Sequence, residues 1–184
     1  MTSIEELEAR VDRLESRAAI RELVTNYAVA CDEHDIPRLQ KLFTLDAVFK
    51  SPSSFMQSTG RDAIASMFIE VLKTRGPGYH WTHDLIVNFG DDANTATGVV
   101  YSHAETTPNG VASVAAMKYK DKYRRESGAW YFSEREIHFF YYVPMADYAD
   151  TLNRKERLYV GGEKRAADFP ESAQSWKDFE RTYK

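Results

Sequence analysis

The sequence predicts an α+β fold, with N-terminal helices packed into the concave side of a curved, mostly antiparallel sheet. Two observations carry this. Apolar residues recur at three-four spacing through roughly the first 75 positions, then at a spacing of two from about residue 79 to 142. The turn signals "GDDAN", "TPNG" and "ESG" divide that second region into long strands. Helices first and antiparallel strands after is the α+β order.

In the first element, Ile4, Leu7, Val11 and Leu14 form a stripe that spans only two heptads, too short for a long coiled coil. A helix lying against the body or a sister subunit is the reading. The pattern continues through Ile20, Leu23, Val24, Tyr27 and Cys31. Asp35 then reads as an N-cap, with Pro37 in the first turn of a short helix that buries Leu39, Leu42 and Phe43. "DAVFKS" is a short strand. "GRDAIASMFIEVLKTRG" is a third helix with Ile64, Met67, Phe68, Val71 and Leu72 as its stripe, stopped by Gly76 and Pro77. Strands follow near Tyr79–Phe89, Thr95–Thr107, Ala112–Arg125 and Trp130–Tyr142. These elements make one domain over residues 1–145. Residues 146–184 are more polar, broken by "GGEK" and "FPES", and read as an irregular tail with one or two short helices. Such a tail covers a cavity mouth or packs on a partner subunit.

Composition narrows the function classes. The chain has 184 residues, 43% hydrophobic and 28% charged, with a net charge of −4. That charge advertises no nucleic-acid or anionic-membrane surface. "KYKDKYRR" at Lys118–Arg125 is basic, but its alternation with tyrosines reads as a solvated strand face. The lone Cys31 permits no internal disulfide and no cysteine-based zinc site, which fits a cytoplasmic protein. The acidic start "MTSIEELEAR" is not a signal peptide, and no stretch has the length of a membrane span.

The candidate chemistry lies in "YHWTHDLIVNF", Tyr79–Phe89. On a regular strand the odd positions Tyr79, Trp81, His83, Leu85, Val87 and Phe89 share a face, and it is the more apolar one. His83 is therefore expected inside and His80 outside, and the two cannot chelate one metal. Val99, Tyr101, His103 and Glu105 share a face of the next strand. If that face is the inner one, His103 joins His83. Buried histidines need polar partners, and Asp32, at the end of the first main helix, is the natural candidate. Tyr27 lies five residues before it. A carboxylate on one imidazole nitrogen fixes the tautomer and raises the basicity of the other, which makes a general base. His138 reads as sheet wall, His34 as a solvated loop, and Cys31 as a small core residue.

The segments "SRAAIRELVTNYAVACDEHD", "LFTLDAVFKSP", "GRDAI", "WTHDLIVN" and "YKDKYRRESGAWYFSERE", in order over roughly residues 10–145, resemble the SnoaL-like family of the nuclear transport factor two-like superfamily. The resemblance implies a cone-shaped α+β barrel. Within it, the chain is similar to scytalone dehydratases and hexachlorocyclohexane dehydrochlorinases, which use an Asp–His dyad. This implies Asp32 and His83 as the dyad, with Tyr27 at a lysine position, Arg135 at an arginine position and His103 at a second pocket histidine. Cys31, Met117 and Tyr119 depart from the dehydratase pattern, which implies a different substrate.

The expectation is thus a cofactor-free, metal-free lyase that abstracts a proton from a small apolar, ring-containing molecule. His83 is its base and Asp32 the orienter, with Arg135, Tyr27 or His103 stabilising the leaving group or oxyanion. Phe49, Trp81, Tyr101, Met117 and Tyr119 line the cavity. A homodimer or homotrimer is expected, because the outer sheet face needs cover. Two alternatives remain. A non-catalytic ligand-binding or accessory subunit would not need Asp32 and His83 in hydrogen-bond contact. A polyketide-cyclase or ketosteroid-isomerase type would use a lone carboxylate, Glu105 or Asp121.

Overall fold

The structure, a computed structural model, describes residues 2–184. Helix α1 (Ile4–Asp32) begins at Ser3 in a capping box. The Ser3 hydroxyl accepts from the Glu6 N–H, and the Glu6 carboxylate accepts from the Ser3 N–H. From Ser16 onward it buries Ser16, Ile20, Leu23, Val24, Tyr27, Ala28, Ala30 and Cys31. Helix α2 (Ile36–Lys41) is capped by the Asp35 carboxylate, which accepts from the Arg38 N–H at 3.0 Å. It stops before Leu42. Phe43 opens strand β1 (Phe43–Lys50) instead of closing the helix, because the Leu42 carbonyl is taken by the Phe132 N–H in a parallel pairing. Strand β2 (Gln57–Thr59) and helix α3 (Arg61–Lys73) follow, with Ile64, Ala65, Phe68, Val71 and Leu72 buried.

Four long strands come next: β3 (Tyr79–Phe89), β4 (Thr95–Thr106), β5 (Ser113–Glu126) and β6 (Ala129–Pro144). The sheet order is β2-β1-β6-β5-β4-β3, antiparallel except where β1 runs parallel to β6. The sheet is curved but not closed, since β2 and β3 remain edges. α1 and α3 fill its concave side, and Ile20, Leu39, Phe43, Phe49, Ile64, Val100 and Phe132 are fully buried there.

After a 3₁₀ turn, the tail forms α4 (Tyr148–Thr151), the small hairpin β7 (Leu158–Val160) and β8 (Glu163–Arg165), and α5 (Gln174–Tyr183). It continues the β6 edge beyond the point where β1 ends. Tyr142 N–H donates to Arg157 O, Asp168 N–H to Phe139 O, and Phe139 N–H to the Asp168 carboxylate. Arg157 holds this segment in place. It donates to Phe140 O and Phe169 O and forms a two-nitrogen bridge to Glu171.

Register decides which side chains reach the interior. On β4 the even residues Ala96, Gly98, Val100, Ser102, Ala104 and Thr106 are buried, and Tyr101, His103 and Glu105 point outward. β3 opposes it with Thr82 against Ser102 and Leu85 against Val100, so His83 and Asp84 together face one residue. That is a β-bulge, and the extra residue flips side-chain parity. His80 and Thr82 face inward before it; Leu85, Val87 and Phe89 do so after it.

Candidate functional site

The bulge replaces one histidine by the other. His80 is the inward one, and its Nδ1 lies 2.6 Å from Asp32 Oδ1. Its backbone N–H donates to Asp32 Oδ2 at 3.0 Å. His83, expected there, sits in the bulge on the outer face. Its Nε2 lies 2.6 Å from His103 Nδ1, the two rings edge-on at 4.8 Å. The expected contact of Asp32 with His83 is absent, and His103 is outside the cone with it. The apolar alternation predicts the inward side of Leu85, Val87 and Phe89, and the bulge reverses it for the residues before them. The adjacent polar residues His83 and Asp84, which break the alternation, are the signal that could have revealed it.

Asp32 ends α1, where helix carbonyls disfavour a carboxylate. Two donors from one residue of β3 offset this and hold the His80 ring. A carboxylate acceptor puts the imidazole proton on Nδ1. Nε2 makes no protein hydrogen bond among the described residues, and the His80 side chain is 13% exposed. The basic nitrogen of an oriented imidazole is thus left available at the end of the cone. Ala104 lies across from His80 on β4, and the Thr106 and Tyr142 hydroxyls pair nearby on the inner face at 2.8 Å.

Deeper in the cone, Tyr27 stands in an aromatic cluster, edge-on to Phe43, Phe68, Tyr119 and Phe132. Arg135 is 1% exposed and makes a two-point bridge to Asp121, Nε to Oδ1 and Nη2 to Oδ2, both at 2.9 Å. Tyr123 donates to the same carboxylate at 2.8 Å. The guanidinium lies 4.1 Å from the Tyr27 ring centre, 4.0 Å from Tyr119 and 4.3 Å from Phe132, distances at which cation–π attraction acts. Burial is the largest single influence and works against its charge, but the charge and hydrogen bonds of Asp121, together with Tyr27 and Tyr119, hold Arg135 above its ordinary range. Its Nη1 is buried without a partner. Burial pushes the Cys31 thiol up to about 12, with the Tyr27 hydroxyl and the charges of Arg135 and Arg75 acting in the opposite direction. Arg75, not singled out in the sequence, makes no ion pair among the described residues.

Of the expected lining residues, Phe49, Met117 and Tyr119 are buried inside, and the Tyr119 hydroxyl donates to Met117 Sδ at 3.2 Å. Trp81 and Tyr101 are not lining residues: they point outward, 57% and 40% exposed, because both sit on the outer parity. There they border concavities of ≈ 450 and ≈ 360 Å³ that flank the His83–His103 pair. Glu105 is exposed on the outer face and Asp121 is neutralised by Arg135, so neither is a free carboxylate base inside the cone. The basic stretch is an outer strand face: Lys118 and Lys120 cover the Phe169 ring, and Lys122 pairs with Glu134. Among the described residues, no cluster of three or more His, Cys, Asp or Glu side chains is placed to hold a metal ion, and no helix is long and apolar enough to cross a membrane.

A family model of SnoaL-like domains matches residues 12–136. The chain is 26% identical over 145 residues to the gamma-hexachlorocyclohexane dehydrochlorinase of Sphingobium indicum, covering 74% of this chain and 88% of that one. It is similar to the solved structure of hexachlorocyclohexane dehydrochlorinase LinA-type3 from Novosphingobium barchaimii, with TM-score 0.69 and 23% identity over 74% of this chain and 94% of that one. A putative scytalone dehydratase from Novosphingobium aromaticivorans matches with TM-score 0.67 and 20% identity over 73% and 91% of the two chains.

Proposed function

The chain belongs to the SnoaL-like domain family, and from that premise we propose that it is a cofactor-independent lyase of the dehydratase or dehydrochlorinase type. The single observation that carries the proposal is the bond between Asp32 and His80, with Nε2 left free. In this reading Nε2 removes a proton next to an activating group of a small apolar, ring-containing substrate. Asp32 stabilises the imidazolium that forms. The electron pair of the broken C–H bond forms the double bond as the leaving group departs with its own pair toward Arg135 Nη1, a buried donor without a partner among the described residues, with Tyr27 beside it; an oxyanion formed on the substrate would be stabilised by the same donor. The similarity to a dehydrochlorinase supports elimination as the reaction class. His83 and His103 have no part in this step. The chain acts on small molecules without nucleic acid and assembles with copies of itself.

The experiment is a screen of hydroxylated and halogenated ring compounds for loss of water or hydrogen halide, followed by two substitutions. His80→Asn lowers kcat by roughly 10²–10⁴, the range of general-base catalysis, whereas His83→Asn leaves it within about twofold. If His80→Asn kept full turnover of an accepted substrate, the assignment would be wrong. The competing reading is a binding subunit, favoured by the dense packing of Phe49, Met117 and Tyr119 inside the cone. It predicts ligand affinity with no turnover in any variant.

A further inference from the structure

The first turns of α1 leave the body. From Ile4 to Val11 every side chain is exposed, and Ile4, Leu7, Val11 and Leu14 are 71, 47, 51 and 67% exposed. A solvated helix end has little to hold it together, yet this one is capped at Ser3 and carries Glu5 and Glu6 in its first turn. The apolar stripe also cannot fold back onto its own chain. The helix touches the body through Asp12, bonded to Arg125, through Ser16 and Ile20, and through Arg17, which donates to Val87 O and covers the Phe89 ring. By the 3.6-residue repeat, Asp12, Ser16 and Ile20 lie roughly 160° around the helix from the stripe.

We propose that this stripe is a parallel, two-stranded zipper that joins α1 to α1 of a second copy of the chain. The residue types select that partner and that orientation. With Ile4 and Val11 at a and Leu7 and Leu14 at d, β-branched residues occupy a and leucine occupies d, the combination that favours parallel dimers. Glu8 and Glu15 fall at e, and Arg10 and Arg17 at g. In a parallel pair, Arg10 faces the second copy's Glu15. In an antiparallel pair, e meets e and g meets g, so Glu would face Glu and Arg would face Arg. The body docks on the b and f positions, Asp12 and Ser16, and on one g position, Arg17, which lies beyond Leu14. The two bodies therefore lie on the far sides of the seam and leave it open. The next a and d positions are Ala18 and Arg21, so the seam ends after Leu14. A contact of this length is smaller than a standard stable interface, and the dimer it forms is concentration-dependent.

Sedimentation equilibrium of the full chain tests this, with thermal melts to verify that each variant is folded. The expected result is a monomer–dimer equilibrium whose dissociation constant rises at least about tenfold in Leu7→Lys/Leu14→Lys, with an unchanged melting temperature for the body. Arg10→Glu weakens the dimer, and Arg10→Glu/Glu15→Arg restores it. Leu7→Cys yields a disulfide-linked dimer on mild oxidation, which an antiparallel pair would not give. A chain that stays monomeric up to about 100 µM overturns the proposal, since a dimer weaker than that gains less than about 5.5 kcal/mol. So does association that ignores Leu7→Lys/Leu14→Lys and is abolished by Trp81→Lys, which would put the interface on the outer sheet face. All these residues lie outside the proposed active site, so the result stands or falls independently of the lyase reading.

Discussion

Arg135→Met isolates the buried ion pair at the base of the cone. Among the described residues, it removes the only cation bonded to Asp121 and leaves a carboxylate with 0% side-chain exposure and one remaining donor, the Tyr123 hydroxyl. Breaking a buried pair from one side costs about 3–5 kcal/mol, because the orphaned charge can neither be solvated nor matched. Asp121→Asn, which leaves Arg135 without its anion among three aromatic rings, should fall in the same range. For a domain of this size each kcal/mol moves the melting temperature by about 2–4 °C, so each single substitution should lower it by roughly 6–20 °C. The double variant removes both charges, and the amide carbonyl that replaces the carboxylate can still accept from Tyr123. Its loss should be smaller than the sum of the singles by at least about 1–2 kcal/mol. The assay is thermal unfolding followed by circular dichroism at pH 7 for all four proteins. A single variant that melts within about 2 °C of the parent, or a double whose loss equals the sum, would refute the claim that the two charges depend on each other.

Four further outcomes follow from particular contacts. The thiol of Cys31 binds its proton more tightly folded than unfolded, since burial raises it from 9.0 to about 12. Its contribution to stability is present below pH 9 and is lost as pH rises from 9 to about 12, where Cys31→Ala should flatten the fall seen by urea titration. The same burial makes the native thiol at pH 8 react with a disulfide reagent at least about 10³-fold more slowly than a free thiol; rapid labelling of the folded chain would contradict it. Gly98→Ala places a Cβ 2.7 Å from the Tyr123 ring and 3.1 Å from Ile86 O, so it should cost about 1–3 kcal/mol in urea unfolding, and an unchanged midpoint would show that Tyr123 yields freely. Arg157→Ala removes five hydrogen bonds that tie the tail to itself and to β6, so hydrogen exchange over residues 154–171 should accelerate while exchange in β4 and β5 is unchanged; acceleration throughout would mean the tail is not a separate unit.

The main helices and the four long strands are legible because each carries a run of one period long enough to be read, as in Ile64–Leu72 for α3 or the alternation of β4, although bulges interrupt it in β3 and β6. That Asp32 has a bonded partner is legible as well, since a carboxylate at a helix C-terminus needs one. Other features depended on pairing, which no single segment encodes. Phe43 reads as the close of an apolar helical turn, yet the parallel contact with Phe132 draws it into β1. Asp121 and Arg135 read as members of separate polar runs, and only their opposite positions on β5 and β6 bring them into contact. The tail reads as irregular because its hydrogen bonds to the β6 edge run through backbone atoms and two isolated side chains, Arg157 and Asp168, which leave no periodic pattern.

The two histidines of β3 show why register, rather than spacing, places a site of this kind. α1 brings Asp32 to a fixed place over the concave face, so the histidine that meets it must have inner parity at that height on the strand. Further along, Leu85, Val87 and Phe89 must also face inward, opposite Val100, Gly98 and Ala96. An even-numbered histidine and odd-numbered core residues cannot share one face of a regular strand. The extra residue at His83–Asp84 reconciles them, at the cost of one unpaired position next to the site. Residues three apart already take opposite faces of a strand; the bulge decides that His80 takes the inner one and His83 the outer, beside His103. An Asp–His pair is therefore found in this fold by locating the bulge first and counting parity from it, since the distance in sequence from Asp32 to either histidine carries no information about which one it meets.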